Sequence, residues 1–505
     1  MNLCYNNIYD FWSKLQDTSK EPTNSLFIHI RVEKLAFFAG KEFTMSVLAA
    51  FMVPHPPMIV PAVGRGSEKQ IKTTIAAYQR VAEEIAALAP ETILLSSPHA
   101  TMYADYFHIS PGSQAEGSFR RFHAPEISFR EYYDTDLVSA IEDIAQKQNF
   151  PAGTDGERDC ALDHGTMVPL WFIRKVCSDF KLVRIGLSGL SLTEHYKLGQ
   201  IIAEAVQKTG RRAVFIASGD LSHKLQPYGP YGYASEGPEY DKRIMDVCSR
   251  AAFGELFDFE DSFCERAAEC GHRSFTIMAG VLDGLSVNPT VFSHEDVTGV
   301  GYGICSFYPS GEDDTRHFLE YYLEKQRKNL AEKHAGEDPW VRLARQSLTS
   351  YILTRRVLPP PSDLPAEPLT QKAGAFVSIH ENGRLRGCIG TIQPTEDCLA
   401  EEIIRNAISA STRDPRFPPI QPEELNLLEI HVDVLAKPED IDSEAELDVK
   451  RYGVIVSCGS RRGLLLPDLD GVDTVEQQIS IARRKAGILP GEKVALQRFE
   501  VIRHV

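Results

Sequence analysis

Short apolar runs alternate with amphipathic stretches from about residue 45 to residue 310. The runs that predict buried strands cover residues 46–53, 92–96, 181–187 and 213–218. The stretches with helical spacing of apolar residues cover residues 67–88, 137–148, 195–208 and 238–252. Strands separated by helices predict an α/β fold with a mostly parallel sheet covered by helices. Residues 103–133 are too long for a plain connection, and we expect them to form a lid or rim.

The pattern changes after residue 311. Charged residues with helically spaced apolar positions predict a connecting helix, and prolines 359–361 end a second helix that starts near residue 339. Beyond residue 374, alternating runs joined by Asn382-Gly383 predict a β-hairpin and an α+β domain with an antiparallel sheet. The predicted segments are an N-terminal extension (1–44), a first domain (45–311), a connecting helix (312–337) and a second domain (338–505).

Composition and charge narrow the classes of protein. A formal net charge of −16 argues against a nucleic-acid partner, which normally meets a net basic face. The ten cysteines contain no CxxC pair, so we expect neither a disulfide framework nor a zinc finger, and a reducing cytoplasm fits best. No run is long enough for a membrane span, and residues 1–44 lack a signal-peptide plan. Met45 directly precedes the first predicted strand. We therefore expect residues 1–44 to be an extension outside the core fold, or the result of a start codon assigned upstream of the true one.

Histidines follow several of the predicted strands. His55, His99 and His223 come after apolar runs, where open α/β sheets gather their ligands. His164 begins an apolar helix behind Asp163, and Asp163 could simply cap that helix. Two histidines and a carboxylate from different strand ends form the facial triad that holds non-haem Fe(II). A further neutral histidine can serve as general base and acid near neutral pH.

The third metal ligand has two alternatives in the sequence Glu269-Cys270-Gly271-His272. Glu269 supplies a hard carboxylate that suits Fe(II), whereas the thiolate of Cys270 favours softer metals such as copper or zinc. Glu269 also precedes an apolar helix, where complementing the helix dipole is the purely structural explanation. We expect Glu269 to be the ligand.

Four ordered motifs carry a family resemblance: Val53-Pro54-His55-Pro56-Pro57, Ser97-Pro98-His99, Leu162-Asp163-His164-Gly165-Thr166 and Ser218-Gly219-Asp220-Leu221-Ser222-His223. They resemble the class III extradiol ring-cleaving dioxygenases of LigB type, to which the Memo proteins are related. The resemblance implies Fe(II) on His55, His99 and usually a glutamate, with a catecholic substrate and O₂. It implies that His223 is the acid/base and that His164 lines the substrate pocket. The Memo-type cysteine falls on Cys270, with copper or zinc as the alternative metal.

The second domain has its own resemblance. Leu385-Arg386-Gly387-Cys388-Ile389-Gly390, with Asp414-Pro415-Arg416-Phe417-Pro418-Pro419 and Gly463-Leu464-Leu465-Leu466-Pro467, resembles the AMMECR-type domain over about residues 338–505. The biochemical role of that family is unsettled, so the resemblance implies little about activity. We expect Cys388 to be a structural cysteine rather than a nucleophile, because the sequence shows no partnered His–Asp set nearby. Arg386, Arg413 and Arg416 line an anion site or are solvated.

Three functions compete at this level. The first is an Fe(II) dioxygenase acting on a small aromatic compound, with an accessory second domain. The second is a Memo-like metal-binding or redox module without ring cleavage, which the resemblance connects with a radical SAM protein in one modification pathway. The third, a zinc hydrolase, lacks the HExxH pattern. Two alternatives stay open for Phe107, Tyr133, Tyr228, Tyr231 and Tyr233: an aromatic wall near a substrate, or the packing that is more common for aromatic residues in loops. The sequence leaves a homo-oligomer open.

Overall fold

The computed structural model describes residues 46–158, 161–381, 383–469 and 471–505. The predicted N-terminal extension, Met45 and Cys160 lie outside these residues. The chain divides into two compact units, with the boundary between Tyr322 and Leu323. We describe the first unit, which ends at Tyr322, and the second unit, Leu323–Val505, separately.

The first unit is built on a six-stranded mixed sheet with two small sheets beside it. Its strands are β1 Val47–Val53, β2 Thr92–Ser97, β3 Phe107–His108, β4 Gln114–Phe119, β5 Ala124–Tyr132, β6 Ala152–Gly153, β7 Lys181–Gly186, β8 Ala213–Ser218, β9 Leu285–Glu295 and β10 Tyr302–Glu312. The main sheet has the order β7-β2-β8-β1-β10-β9. The first four of these strands run parallel, and β10 and β9 extend the sheet antiparallel. The α/β prediction with a largely parallel sheet is confirmed.

Helices cover both faces of this sheet. They are α1 Pro61–Gly64, α2 Lys72–Leu88, α3 Thr135–Lys147, α4 His164–Ile173, α5 Leu192–Thr209, α6 Glu236–Arg250, α7 Asp261–Ala267 and α8 His272–Val281, and α9 Phe318–Gly336 begins in this unit. Alternate residues of β1 pack into two separate apolar cores: Ala50 and Met52 into one, Phe51 and Val53 into the other. Burial on both faces explains why the parallel strands read as continuous apolar runs.

The segment that the sequence predicted to be a long loop contains three strands. β4 and β5 pair as an antiparallel hairpin, with the 3-10 turn Arg120–Phe122 between them. Ala115, Phe119 and Ala124 are fully buried, whereas most other hairpin positions are partly or fully exposed. The strands were missed because so few of their side chains are both apolar and buried. We name residues 114–132 the β4–β5 hairpin.

Two glycines allow helices α5 and α8 to cross closely. A Cβ added at Gly280 would lie 2.0 Å from the carbonyl oxygen of Tyr196, and one at Gly199 would lie 2.1 Å from that of Ile277. These oxygens belong to the backbone of a helix, so they cannot move aside as the end of a flexible side chain can. The crossing therefore requires glycine on both helices, and it fixes the position of α8.

The second unit contains two four-stranded sheets in which every strand pair is antiparallel. Its strands are β11 Ala375–Glu381, β12 Arg384–Gly390, β13 Leu428–Leu435, β14 Glu439–Ile441, β15 Gly453–Cys458, β16 Arg461–Leu465, β17 Ala495–Phe499 and β18 Val501–His504. Its helices are α10 Pro339–Thr354, α11 Ala366–Thr370, α12 Leu399–Thr412 and α13 Val475–Lys485. Helices α10 and α12 pack on the sheet β12-β11-β13-β18, and α13 packs on β14-β17-β15-β16. The predicted hairpins and α+β arrangement are confirmed.

Two boundaries differ from the sequence prediction. β10 continues to Glu312, so the charged helix α9 starts at Phe318 rather than at residue 312. The segment after prolines 359–361, which leads to the second domain's first strand, contains the short helix α11. Among the described residues, no helix has the length and apolar character needed to cross a membrane.

We expect Gly280→Ala to lower the free energy of unfolding of the first unit by about 1–3 kcal/mol, because the new methyl group overpacks a backbone contact. Calorimetric or urea unfolding of the full chain measures the change. The matched control is Gly336→Ala, where an added Cβ meets nothing within 4 Å. Equal destabilisation by both substitutions would contradict the role of the close crossing.

Candidate functional site

Three adjacent parallel strands end at one place in the first unit. His55 follows β1, His99 follows β2, and Asp220 and His223 follow β8, which lies between the other two strands. The carboxyl ends of parallel strands meet at one edge of the sheet, where α/β proteins bind ligands. The sheet topology thus brings three of the sequence-predicted histidines together.

Two groups of potential metal ligands occur at this edge among the described residues. The first group is His55, His99 and Cys270, and the second is Asp220, His223 and Cys270, with donor atoms within 4.8 Å of one another in each group. The Nε2 atoms of His55 and His99 are 3.0 Å apart, and Cys270 Sγ lies 3.7 Å from His55 Nε2. Cys270 therefore belongs to both groups.

A buried serine fixes the tautomer of His55. The hydroxyl of Ser218 donates to the carbonyl oxygen of Gly165 at 2.6 Å, so its only proton is used there. At 3.0 Å from His55 Nδ1 the same oxygen must accept, and Nδ1 must carry the hydrogen. The lone pair of the neutral ring then lies on Nε2, the atom that faces His99 and Cys270.

His99 and His164 complete a cluster of three neutral imidazoles. Their ring centroids are 3.9 Å apart, and His164 also lies 5.5 Å from His55. Burial, followed by the charge of His99, lowers the pKa of His55 to about 3 and that of His164 to about 4. Burial also lowers the pKa of His99. Neutral imidazole is the form that binds metals, so the three histidines are in the protonation state that a cation requires.

Asp163 supports this cluster from the start of helix α4. Its carboxylate accepts hydrogen bonds from the Thr166 backbone and hydroxyl, as predicted for a cap, and also from Ser97 Oγ at 2.6 Å. Burial alone would raise the pKa of Asp163, but Arg184 and these hydrogen bonds outweigh burial and hold it below its usual value. Asp163 therefore joins the end of β2 to the helix that carries His164.

A contact between two glycines brings Cys270 to the histidines. A Cβ added at Gly219 would lie 2.2 Å from Gly271 Cα, so the loop after β8 and the loop before α8 touch through their backbones. Cys270 Sγ accepts a hydrogen bond from the backbone N–H of Asp220 at 3.3 Å. Burial and the nearby Asp220 raise the pKa of the Cys270 thiol well above its usual value. A coordinated cation would instead lower the pKa of the thiol and bind Cys270 as the thiolate.

His223 stands beside a buried carboxylate. Its Nδ1 donates to the carbonyl oxygen of Ala268, which leaves Nε2 as the acceptor, 4.0 Å from Asp220 Oδ2. Asp220 also accepts a hydrogen bond from the backbone of His55 at 2.7 Å, and burial raises its pKa. The ring of Tyr231 lies edge-on to His223 at 5.1 Å. His223 thus presents a basic nitrogen at the strand ends, as general acid–base chemistry requires.

Glu269 is not brought into either group of ligands. Its carboxylate accepts hydrogen bonds from the backbone N–H of His272 at 2.6 Å and from the Tyr240 hydroxyl at 3.5 Å. The carboxylate therefore accepts a free N–H group in the first turn of α8 and complements the helix dipole. This is the structural explanation given above for Glu269. Burial raises the pKa of Glu269 to about 7. The geometry places Cys270, and not the expected Glu269, next to the two histidines.

The donor set fits a tetrahedral metal with two nitrogens and one sulfur. Metal–nitrogen bonds of about 2.0 Å and metal–sulfur bonds of about 2.3 Å put nitrogens about 3.3 Å apart and nitrogen about 3.6 Å from sulfur. The distances of 3.0 and 3.7 Å in the protein are close to these values. His55, His99 and Cys270 differ from the two-histidine, one-carboxylate triad typical of non-haem Fe(II), and the carboxylate of Glu269 is hydrogen-bonded to the first turn of α8 instead.

A cleft of about 1290 Å³ opens over this cluster. His99 and His164 lie on one side, and the β4–β5 hairpin forms much of the rest of the lining, so the predicted rim is present. Phe122 of the hairpin contacts His164 with ring centroids 5.3 Å apart. Of the aromatic residues considered for a wall near a substrate, Phe107 and Tyr133 are instead core residues, whereas Tyr231 contacts His223.

In the second unit, an ion-pair network surrounds Cys388. Asp414 accepts from the Cys388 backbone N–H at 2.9 Å, and Arg416 donates both to Asp414 and to the Cys388 carbonyl oxygen. Arg386 forms a bidentate pair with Glu424 at 3.0 Å. Ser378, opposite Cys388 in the sheet, donates to its sulfur at 3.2 Å. Arg386 and Arg416 are thus used in clamping the edge strand β12, and the predicted anion site finds no support in these contacts.

The two units match two known families. The model described as the catalytic LigB subunit of aromatic ring-opening dioxygenase matches residues 49–305, and the AMMECR1 model matches residues 341–504. Protein CA_C1420 of Clostridium acetobutylicum is 41% identical over 469 residues, which is 91% of this chain and 99% of that protein. The first unit is thus an α/β domain of LigB type. The chain belongs to the family whose members join a LigB domain to an AMMECR1 domain.

Other relatives cover one domain each. A protein of Thermotoga maritima is 50% identical over 171 residues, which is 34% of this chain and 98% of that protein. The crystal structure of PH0010 from Pyrococcus horikoshii covers 32% of this chain and 88% of its own, at 34% identity and a TM-score of 0.31. That of JW3007 from Escherichia coli K12 covers 51% of this chain and 99% of its own, at 14% identity and a TM-score of 0.37.

The sequence did not reveal two features of the site. Ser218 was visible in the motif that ends at His223, but only its bonds to His55 and Gly165 show what it does. The turn Arg120–Phe122 lines the cleft although it lies within a segment that the sequence predicted to be a loop. The aromatic and basic composition of that segment was the available signal.

We expect Ser218→Ala to weaken Zn²⁺ binding by about 10- to 100-fold, because His55 loses the partner that fixes its tautomer and ring orientation. Competition with a chromogenic chelator measures the affinity. Ser306→Ala is the matched control, since Ser306 is a buried strand serine whose hydroxyl has no partner among the described residues. Wild-type affinity in the Ser218 variant would contradict the assignment.

Proposed function

We propose that the LigB domain is a redox-active metal enzyme that oxidises small aromatic or diol-bearing compounds. His55, His99 and Cys270 bind one soft transition-metal ion, of which copper is our choice. The observation that carries the proposal is the group of two nitrogens and one sulfur at the end of the parallel strands, beside an open cleft. When bound, a redox-active ion would supply the electron transfer that O₂ chemistry needs.

The protein's own residues have separate roles in this proposal. The free Nε2 of His223 accepts a proton from a substrate hydroxyl, and Asp220 beside it stabilises the protonated ring. His164 and Phe122 form an aromatic wall against which a planar substrate can lie. His55 and Asp163, held by Ser218 and Ser97, keep the site rigid while substrate binds.

The choice of metal follows from the third ligand. A thiolate selects copper or zinc over Fe(II), for which a carboxylate is typical. Ring opening by an Fe(II) form is the second candidate function, because the family model matched over residues 49–305 is that of a ring-opening dioxygenase subunit. The two candidates differ in metal and in product.

We expect Cys270→Ala to lose most of the bound metal and Glu269→Gln to keep it, because only Cys270 faces the two histidines. Elemental analysis after loading the full chain with copper, zinc or Fe(II) measures the metal per chain. Circular dichroism of each variant checks that the fold is retained. Metal kept in a folded Cys270 variant and lost in a folded Glu269 variant would refute the proposed ligand set.

Oxygen uptake with a panel of catechols tests the activity. We expect uptake by the copper-loaded protein with quinone-type products, and loss of most activity in His223→Ala. Ring-opened products from the Fe(II)-loaded protein would favour the second candidate. Absence of uptake with every metal and every catechol would overturn both.

A further inference from the structure

The cleft is lined by two arginines that have no partner among the residues that the structure describes. Arg120 and Arg121 are exposed and line the cleft together with His99 and His164. Neither guanidinium makes a hydrogen bond or an ion pair with any residue that the structure describes. Two adjacent cations that pair with no described carboxylate therefore line the cleft of a chain whose formal net charge is −16. Such a local positive field attracts and orients anions.

The other arginines that line the cleft are hydrogen-bonded or ion-paired within the protein. Arg130 pairs with Glu116 at 2.6 Å across the β4–β5 hairpin. Arg184 is buried and donates to Ser110 Oγ and to the carbonyl oxygen of Ala161, each at 2.6 Å, with Asp163 at 3.8 Å. Arg120 and Arg121 are therefore the two cleft arginines available to a ligand.

The turn that carries these arginines is fixed at both ends. Phe119 before it is fully buried in the core, and Phe122 within it packs against His164. His123 after it has a left-handed backbone, with φ of 61°, and its carbonyl oxygen accepts a hydrogen bond from Arg65. The guanidinium groups therefore extend from an anchored backbone at a set position along the cleft.

We propose that Arg120 and Arg121 bind an anionic group of the substrate, a carboxylate or a phosphate, while its ring lies against the wall that Phe122 and His164 form. This inference rests on the proposed function, since the ring faces the same metal group. Guanidinium groups suit both anions because their N–H groups match pairs of oxygen atoms. The cleft, of about 1290 Å³, has room for a ring that carries a substituent long enough to reach the arginines.

Titration calorimetry on the full chain tests the inference with three probes: catechol, a dihydroxybenzoate with adjacent hydroxyls, and phenyl phosphate. We expect the dihydroxybenzoate to bind about tenfold more tightly than catechol, which is the typical effect of one charged hydrogen-bonded pair. The preference should disappear in Arg120→Ala/Arg121→Ala and largely remain in Arg120→Lys/Arg121→Lys. Tight binding of phenyl phosphate would identify phosphate as an accepted anion, and weak binding would restrict the class to carboxylates.

The control variant is Lys325→Ala/Arg327→Ala, which removes the same charge from an exposed face of α9. An anion preference that falls equally in the control, or that persists in the double alanine variant of the cleft, overturns the inference. The titrations are repeated on chelator-treated protein, where the preference should remain. Loss of oxygen uptake with an intact anion preference would count against the proposed function alone.

Discussion

Ser218, the last residue of β8, joins three parts of the LigB domain. Its hydroxyl accepts a hydrogen bond from His55, which follows β1, and donates one to the carbonyl oxygen of Gly165 in the first turn of α4. With no second proton to give, it leaves His55 a single tautomer, and the ligand nitrogen must face His99 and Cys270. The orientation of His55 among the proposed metal ligands therefore depends on its hydrogen bond to Ser218.

Most of the fold follows from sequence pattern. The strands β1, β2, β7 and β8 were predicted within a residue or two, because both faces of each are buried and most of their positions are apolar. The β4–β5 hairpin was missed because only a few of its side chains reach the core. His55, His99 and His223 could be found for a similar reason: each follows a strand, and adjacent parallel strands bring their ends together.

The sequence could not show which of Glu269 and Cys270 lies next to the two histidines. Glu269 and Cys270 are neighbours, and either type of side chain can bind a metal. The decision depends on the contact of Gly219 with Gly271, which turns Cys270 toward the histidines and Glu269 toward the first turn of α8. A contact between two loops distant in sequence leaves no local pattern. In the AMMECR1 domain, likewise, the pairing of Arg386 with Glu424 shows only in three dimensions.

The β4–β5 hairpin has a consequence for how this domain can change over evolution. The proposed metal ligands lie at strand ends of the central sheet and in the loop before α8, whereas the cleft beside them is lined largely by a hairpin outside that sheet. Replacing exposed hairpin residues would alter which compounds enter without disturbing the ligands. Relatives that share the strand-end cluster can therefore differ in the lining of the cleft through this one segment.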